Sequence, residues 1–142
     1  MTFSPIAFEK WDEFGKDVVK AFLTKHNHII IDNPNRFGID LFSDKGGRLY
    51  RWEVEVKTGQ NWSSADTFPY DTVSFLGRKE KWKGHPYWYC IVCANTKAIC
   101  LAHSDVIFRD EFKVEKFIGE RDEVQRFYHV PKRLCIFTSS ST

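Results

Sequence analysis

The sequence predicts an α/β (α+β) fold, a sandwich built around a central mixed sheet. Three observations carry that expectation: a helical stripe near the start, two period-two segments joined by a glycine turn, and several strand-like runs in the second half. Phe8, Trp11, Gly15, Val18, Val19 and Phe22 recur at three- and four-residue spacing, which predicts the inward face of a helix over residues 4–25. Ser4 and Pro5 suit its cap and first turn.

A β-branched run over residues 28–32 follows, ended by Asn33-Pro34-Asn35. Residues 38–43 alternate like a strand, Asp44-Lys45-Gly46-Gly47 reads as a turn, and residues 48–58 form a second, longer alternating strand. After a loop over residues 61–69, residues 71–83 are predicted helical, with Val73, Leu76 and Trp82 inward and Arg78, Lys79, Lys81 and Lys83 exposed; Gly84-His85-Pro86 stops this helix. An apolar strand over residues 87–94 turns at Asn95-Thr96 into another over 97–102. Ser104-Asp105 caps a short helix, and residues 112–118, 127–130 and 134–137 complete the predicted strands.

At 142 residues the chain suits one domain, taken as residues 1–142, with 42% hydrophobic and 28% charged residues, a globular balance. No segment approaches the ~20 consecutive apolar residues of a membrane span, and Met1 to Phe8 lacks the features of a secretory signal. The expectation is a soluble, cytoplasmic protein in a reducing compartment, with no membrane partner. A net charge of +2 does not mark a nucleic-acid binder by itself, although a local patch of cations can still meet phosphates. Cys90 and Cys93 sit three apart in a predicted strand, so their side chains point to opposite faces and are read as buried thiols instead of a zinc pair. His26-Asn27-His28 spells the letters of a nuclease class but falls at a helix-to-strand junction and is read as coincidence, and His85, His103 and His129, which stand alone, are read as structural or surface residues.

The chemistry concentrates in the predicted hairpin. Arg51, Glu53, Glu55 and Lys57 share one face of the second strand, and Trp52, Val54 and Val56 the other. A two-residue turn at Gly46-Gly47 places Asp40 opposite Glu53 and one diagonal step from Glu55; a two-residue shift would bring it opposite Glu55. Either register puts Asp40, Glu53, Glu55 and Lys57 on one face. Gathered carboxylates favour proton uptake or a cation. A hard divalent ion such as Mg²⁺ binds through one or two carboxylates plus water and phosphate, and a neighbouring lysine can orient water or stabilise developing negative charge. Two acids and a lysine form a minimal set for phosphodiester hydrolysis. The same charges could instead line the solvated face of an amphipathic strand.

Ile39-Asp40 followed by Glu55-Val56-Lys57 resembles the PD-(D/E)xK motif, with an acid on one strand and acid-x-lysine on the next. The predicted element order from Phe8 to Ala94 is similar to the αβββαβ core of restriction-endonuclease-like proteins, and most similar to Holliday-junction resolvases and phage or restriction endonucleases. Ile39 stands where the motif names proline. The resemblance implies a metal-dependent endonuclease hydrolysing DNA, selective for branched or flapped substrates, with Asp40, Glu55 and Lys57 catalytic. It implies Mg²⁺ or Mn²⁺ held by Asp40, Glu55 and the carbonyl of Val56, with DNA as partner, and it admits a homodimer. Glu53, Gln60 and an acid of the first helix, Glu13 or Asp17, are supplementary candidates. Arg78, Lys79, Lys81 and Lys83 are candidate phosphate contacts. Two alternatives share the fold: a catalytically inactive nucleic-acid-binding module, and a nuclease acting on RNA.

Overall fold

The structure, a computed structural model, describes residues 5–31, 39–77 and 85–139. The long helix α1 (Pro5–Lys25) is followed by β1 (Ile29–Ile31), β2 (Leu41–Lys45) and β3 (Arg48–Lys57). At its C-terminus Asn27 adopts a positive φ of 68°. Asn27 N then donates to Thr24 O at 3.1 Å and His28 N to Leu23 O at 2.9 Å, satisfying carbonyls that the last turn would leave open. Gly46 and Gly47 have φ of 60° and 82°, as a two-residue hairpin turn needs at both central positions. Asp44 Oδ1 accepts from Gly47 N at 3.0 Å and holds that turn. The register is the first of the two expected: Lys45 pairs with Arg48 and Leu41 with Trp52.

The chain continues through β4 (Thr72–Leu76), β5 (Trp88–Cys93), β6 (Ala98–His103), the short α2 (Ser104–Ile107), β7 (Lys113–Ile118), β8 (Glu123–Pro131) and β9 (Ile136–Ser139). Six strands form a mixed sheet in the order β1-β2-β3-β5-β6-β9, in which β3 and β5 are parallel and the other neighbours antiparallel. A second, three-stranded antiparallel sheet has the order β4-β8-β7.

Each face of the large sheet has its own core. On one side Val18, Val19 and Leu23 of α1 pack on Leu41, Trp52, Val54, Cys90, Val92 and Leu101. On the other, Tyr89, Ile91, Cys93 and Cys100 meet Val73, Phe75, Tyr128 and Val130 of the second sheet. Cys90 and Cys93 lie in opposite cores, as strand alternation demands, and no disulfide forms among the cysteines. No helix among the described residues is long and apolar enough to cross a membrane.

Two expectations are corrected. The helix over residues 71–83 is a strand over Thr72–Leu76, with Val73 and Phe75 buried and their neighbours half-buried. Thr72, Val73 and Phe75 favour extended backbone, and pairing with β8 supplies the hydrogen bonds that a helix would have made internally. The rest of that predicted helix, including Arg78, Lys79, Lys81 and Lys83, lies outside the described residues. Trp11, assigned to the buried stripe, is 37% exposed, whereas Leu23 is fully buried in its place.

Helix α1 sits very close to β3. A Cβ on Gly15 would lie 2.6 Å from Val56 Cγ2 and 3.0 Å from Val54 Cγ1. Replacing Gly15 with Ala is expected to destabilise the fold by about 1–3 kcal/mol through overpacking, read as a lower midpoint in urea. Ser43, fully buried, accepts from Trp52 Nε1 at 2.9 Å and lies 2.9 Å from His28 Nδ1. Burial, and then the charges of Lys45 and His26, hold the His28 imidazole below its ordinary 6.5. The unfolded chain therefore takes up a proton that the folded chain refuses. The corresponding stability is present above pH 6.5 and is lost as pH falls through that value towards the folded pKa. Denaturation midpoints measured across this range should fall for the native chain and change less for His28→Gln.

Candidate functional site

Strand β3 is not the half-solvated strand its alternation suggests. Glu53 is only 1% exposed, because the second sheet covers the face opposite α1. Accessibility returns at the C-terminal end, where the side chains of Glu55 and Lys57 are 14% and 33% exposed. Lys57 Nζ lies 2.7 Å from Glu55 Oε2. The other oxygen, Glu55 Oε1, accepts from the hydroxyl of Tyr89, a wholly buried residue of β5. Burial, and then the charge of Glu55, push that hydroxyl well above its ordinary pKa, so it remains a neutral donor. The Tyr89 oxygen also accepts from Leu76 N at 3.4 Å. Glu55 is thereby tied to β5 directly and to β4 through one phenol.

Asp40 occupies a bend just before β2. Ile39 packs in the core under the second sheet and Leu41 in the core under α1, so the chain passes from one face to the other at Asp40. Its Oδ2 accepts from Val54 N at 2.8 Å. The carboxylate thus takes the place of a backbone rung at the edge of β3, between Glu53 and Glu55 in sequence. The expected common face holds for Glu55 and Lys57, which turn towards the second sheet. Asp40 departs from it: the bend sets its carboxylate at the strand edge, where its charge also reaches Cys90 and Lys16 on the α1 side.

Successive residues of a strand direct their backbone groups to alternate sides. Val54 N points towards Asp40, and Lys57 O accepts from Ala94 N at 3.0 Å on the β5 side. The carbonyl of Val56 consequently points to the same side as Asp40, beyond the last rung of β2. On α1, Lys16 Nζ lies 3.0 Å from Asp12 Oδ2. Burial works to lower the Lys16 pKa, but that hydrogen bond and the charges of Asp12, Asp40 and Glu13 outweigh it and raise the value. Asp12 is thus the direct partner of Lys16, and Asp40 and Glu13 act on it only through their charge. Asp17 is exposed, and among the described residues nothing joins it to Asp40 or Glu55.

Lys57 opens into a cleft of about 300 Å³ at β4, the edge strand of the second sheet, also lined by Gln60, Tyr70, Ser74, Lys116 and His129. Gln60 reaches this cleft as its spacing from Lys57 suggested, with its Oε1 accepting from Trp62 Nε1 at 2.7 Å. Tyr89, Lys116 and His129 were not legible as site residues. A parallel neighbour such as Tyr89 carries no local signal, and Lys116 and His129 reach the cleft through packing of the second sheet.

Among the described residues no three Asp, Glu, His or Cys side chains converge as a ready cluster for a metal. Asp40 and the Val56 carbonyl present oxygen atoms on the β2 side of β3, whereas both Glu55 oxygens are engaged by Tyr89 and Lys57 and would have to exchange a partner to join them on a hard cation. No protein-family model, curated protein or solved structure matches the chain. The resemblance to PD-(D/E)xK proteins accordingly rests on Asp40, Glu55, Val56 and Lys57. The expected αβββαβ order is not reproduced among the described residues, because the segment after the hairpin is the strand Thr72–Leu76 of the second sheet where a helix was expected.

Tyr89→Phe would leave both Glu55 Oε1 and Leu76 N without this partner. Stability is expected to drop by about 1–3 kcal/mol, measured by urea denaturation monitored through tryptophan fluorescence.

Proposed function

We propose that this chain is a Mg²⁺-dependent endonuclease that hydrolyses DNA phosphodiester bonds, selecting branched or flapped duplexes. The observation that supports it is the Asp40–Val54 hydrogen bond, which pins one acid to the strand that carries Glu55 and Lys57. Asp40, Glu55 and the Val56 carbonyl would hold the ion, and Mn²⁺ would substitute for it. When bound, that ion supplies Lewis-acid polarisation of the phosphate and lowers the pKa of a bound water.

The remaining roles belong to the chain itself. Lys57 carries the positive charge that offsets charge developing on the phosphate, or orients the attacking water. Its contact with Glu55 holds the ammonium in one place, and Tyr89 fixes the Glu55 side chain from behind. Glu13 or Asp17 of α1 would be the supplementary helix acid in this reading. Arg78, Lys79, Lys81 and Lys83 follow the DNA backbone in this reading, and a homodimer would allow paired cuts on a branched substrate.

One observation favours a second reading, a catalytically inactive nucleic-acid-binding module: both Glu55 oxygens already have partners within the protein. Calorimetric titration with Mn²⁺ separates the two. Binding that disappears in Asp40→Ala supports the enzyme, and no binding by the native chain supports the module.

In plasmid nicking with Mg²⁺, Asp40→Ala, Glu55→Ala and Lys57→Ala should each lower the rate about a hundredfold or more, measured at a temperature where circular dichroism shows each variant folded, since Asp40→Ala and Glu55→Ala also remove the partners of Val54 N and the Tyr89 hydroxyl. Full activity in Glu55→Ala, purified free of host nucleases, would refute the assignment. Parallel assays on branched DNA, linear DNA and RNA identify the substrate.

A further inference from the structure

We infer that the cleft beside Lys57 is a pocket for one unpaired nucleotide, its phosphate met by Lys57, Lys116 and His129 and its base laid against Tyr70. This rests on the nuclease reading for its link to catalysis, but the pocket itself stands on its lining. At about 300 Å³ the cleft lies at the small end of ligand sites. Base, sugar and phosphate fit such a volume; a paired duplex does not.

The charges in the cleft are of one sign. Lys57 and Lys116 line it together with His129, and no Asp or Glu is among the lining residues. Among the described residues the Lys116 ammonium is met by the Phe127 ring, 5.3 Å from its centroid, and by no carboxylate. His129 pairs across the second sheet with Ser74, which also lines the cleft. Burial, and then the charge of Lys116, hold His129 below its ordinary pKa. A phosphate between these groups would reverse that repulsion, so binding would draw a proton onto His129.

The aromatic wall is preformed. Tyr70 is 59% exposed, and its ring stands edge-on to that of buried Phe68, with centroids 5.8 Å apart and planes at 75°. An exposed ring held in place beside cations is the arrangement on which unpaired bases stack without sequence preference. Because Lys57 belongs both to this cleft and to the Glu55 pair, a nucleotide seated here would lead its strand to the acids. The preferred substrate would then present an unpaired nucleotide at a flap, fork or strand end.

Fluorescence anisotropy with a dye-labelled, 5′-phosphorylated dT trimer, in EDTA to prevent cleavage, tests the pocket. The trimer should bind more tightly than a blunt hairpin duplex, and Tyr70→Ala and Lys116→Gln should each weaken it about tenfold. Affinity should rise as pH is lowered from about 7.5 to about 5.5, and His129→Gln should flatten that rise. Trimer affinity unchanged in both Tyr70→Ala and Lys116→Gln would overturn the inference. So would competition by inorganic phosphate as effective as that by unlabelled trimer, since the base would then contribute nothing. Mg²⁺-dependent nicking without trimer binding removes the pocket and leaves the nuclease. Trimer binding without nicking by the native chain does the reverse.

Discussion

A carboxylate replaces a backbone rung just before β2 begins, and much of the molecule's chemistry depends on that exchange. By accepting from Val54 N, Asp40 satisfies a donor that the departing strand would leave open. The chain can then bend, sending Ile39 into one core and Leu41 into the other. The same bond anchors an acid beside the strand of Glu55, and the alternation it marks aims the Val56 carbonyl into the same gap. Fold and site share one interaction here, so a change at Asp40 touches both.

Burial of β3 on both faces shapes the electrostatics. An acid such as Glu55, taken largely out of water, costs free energy unless hydrogen bonds and an opposite charge offset it. Tyr89 and Lys57 provide that offset from two directions. Tyr89 can do so because burial keeps its own proton in place. The arrangement leaves Lys57 as the group through which the acid pair meets the cleft.

The hairpin was legible because its signals are local. Gly46-Gly47 dictated a two-residue turn, and the alternation of Trp52, Val54 and Val56 marked the side that meets α1. The bend at Asp40 was not legible: nothing in Gly38-Ile39-Asp40-Leu41 says that a side chain, instead of the backbone, will meet Val54. The second sheet was missed where it mattered most. Val73 and Leu76, three apart, mimic a helical stripe, while the pairing partner that makes Thr72–Leu76 a strand lies more than fifty residues away in β8. Once that strand is in place, the burial of Glu53 follows, which alternation within β3 could not reveal.

The parallel ladder between β3 and β5 also bears on how the chain assembles. The hairpin of β2 and β3 closes over two residues, whereas Trp52 must find Trp88 across the whole intervening segment. Loop closure costs more entropy over that longer span, and non-local pairings slow folding. Asp40 and Glu55 can therefore be brought together by a local event, while Tyr89 reaches Glu55 only after the long-range ladder has formed. Contact order thus favours closing the hairpin that follows Asp40 ahead of the ladder that delivers the Tyr89 clamp.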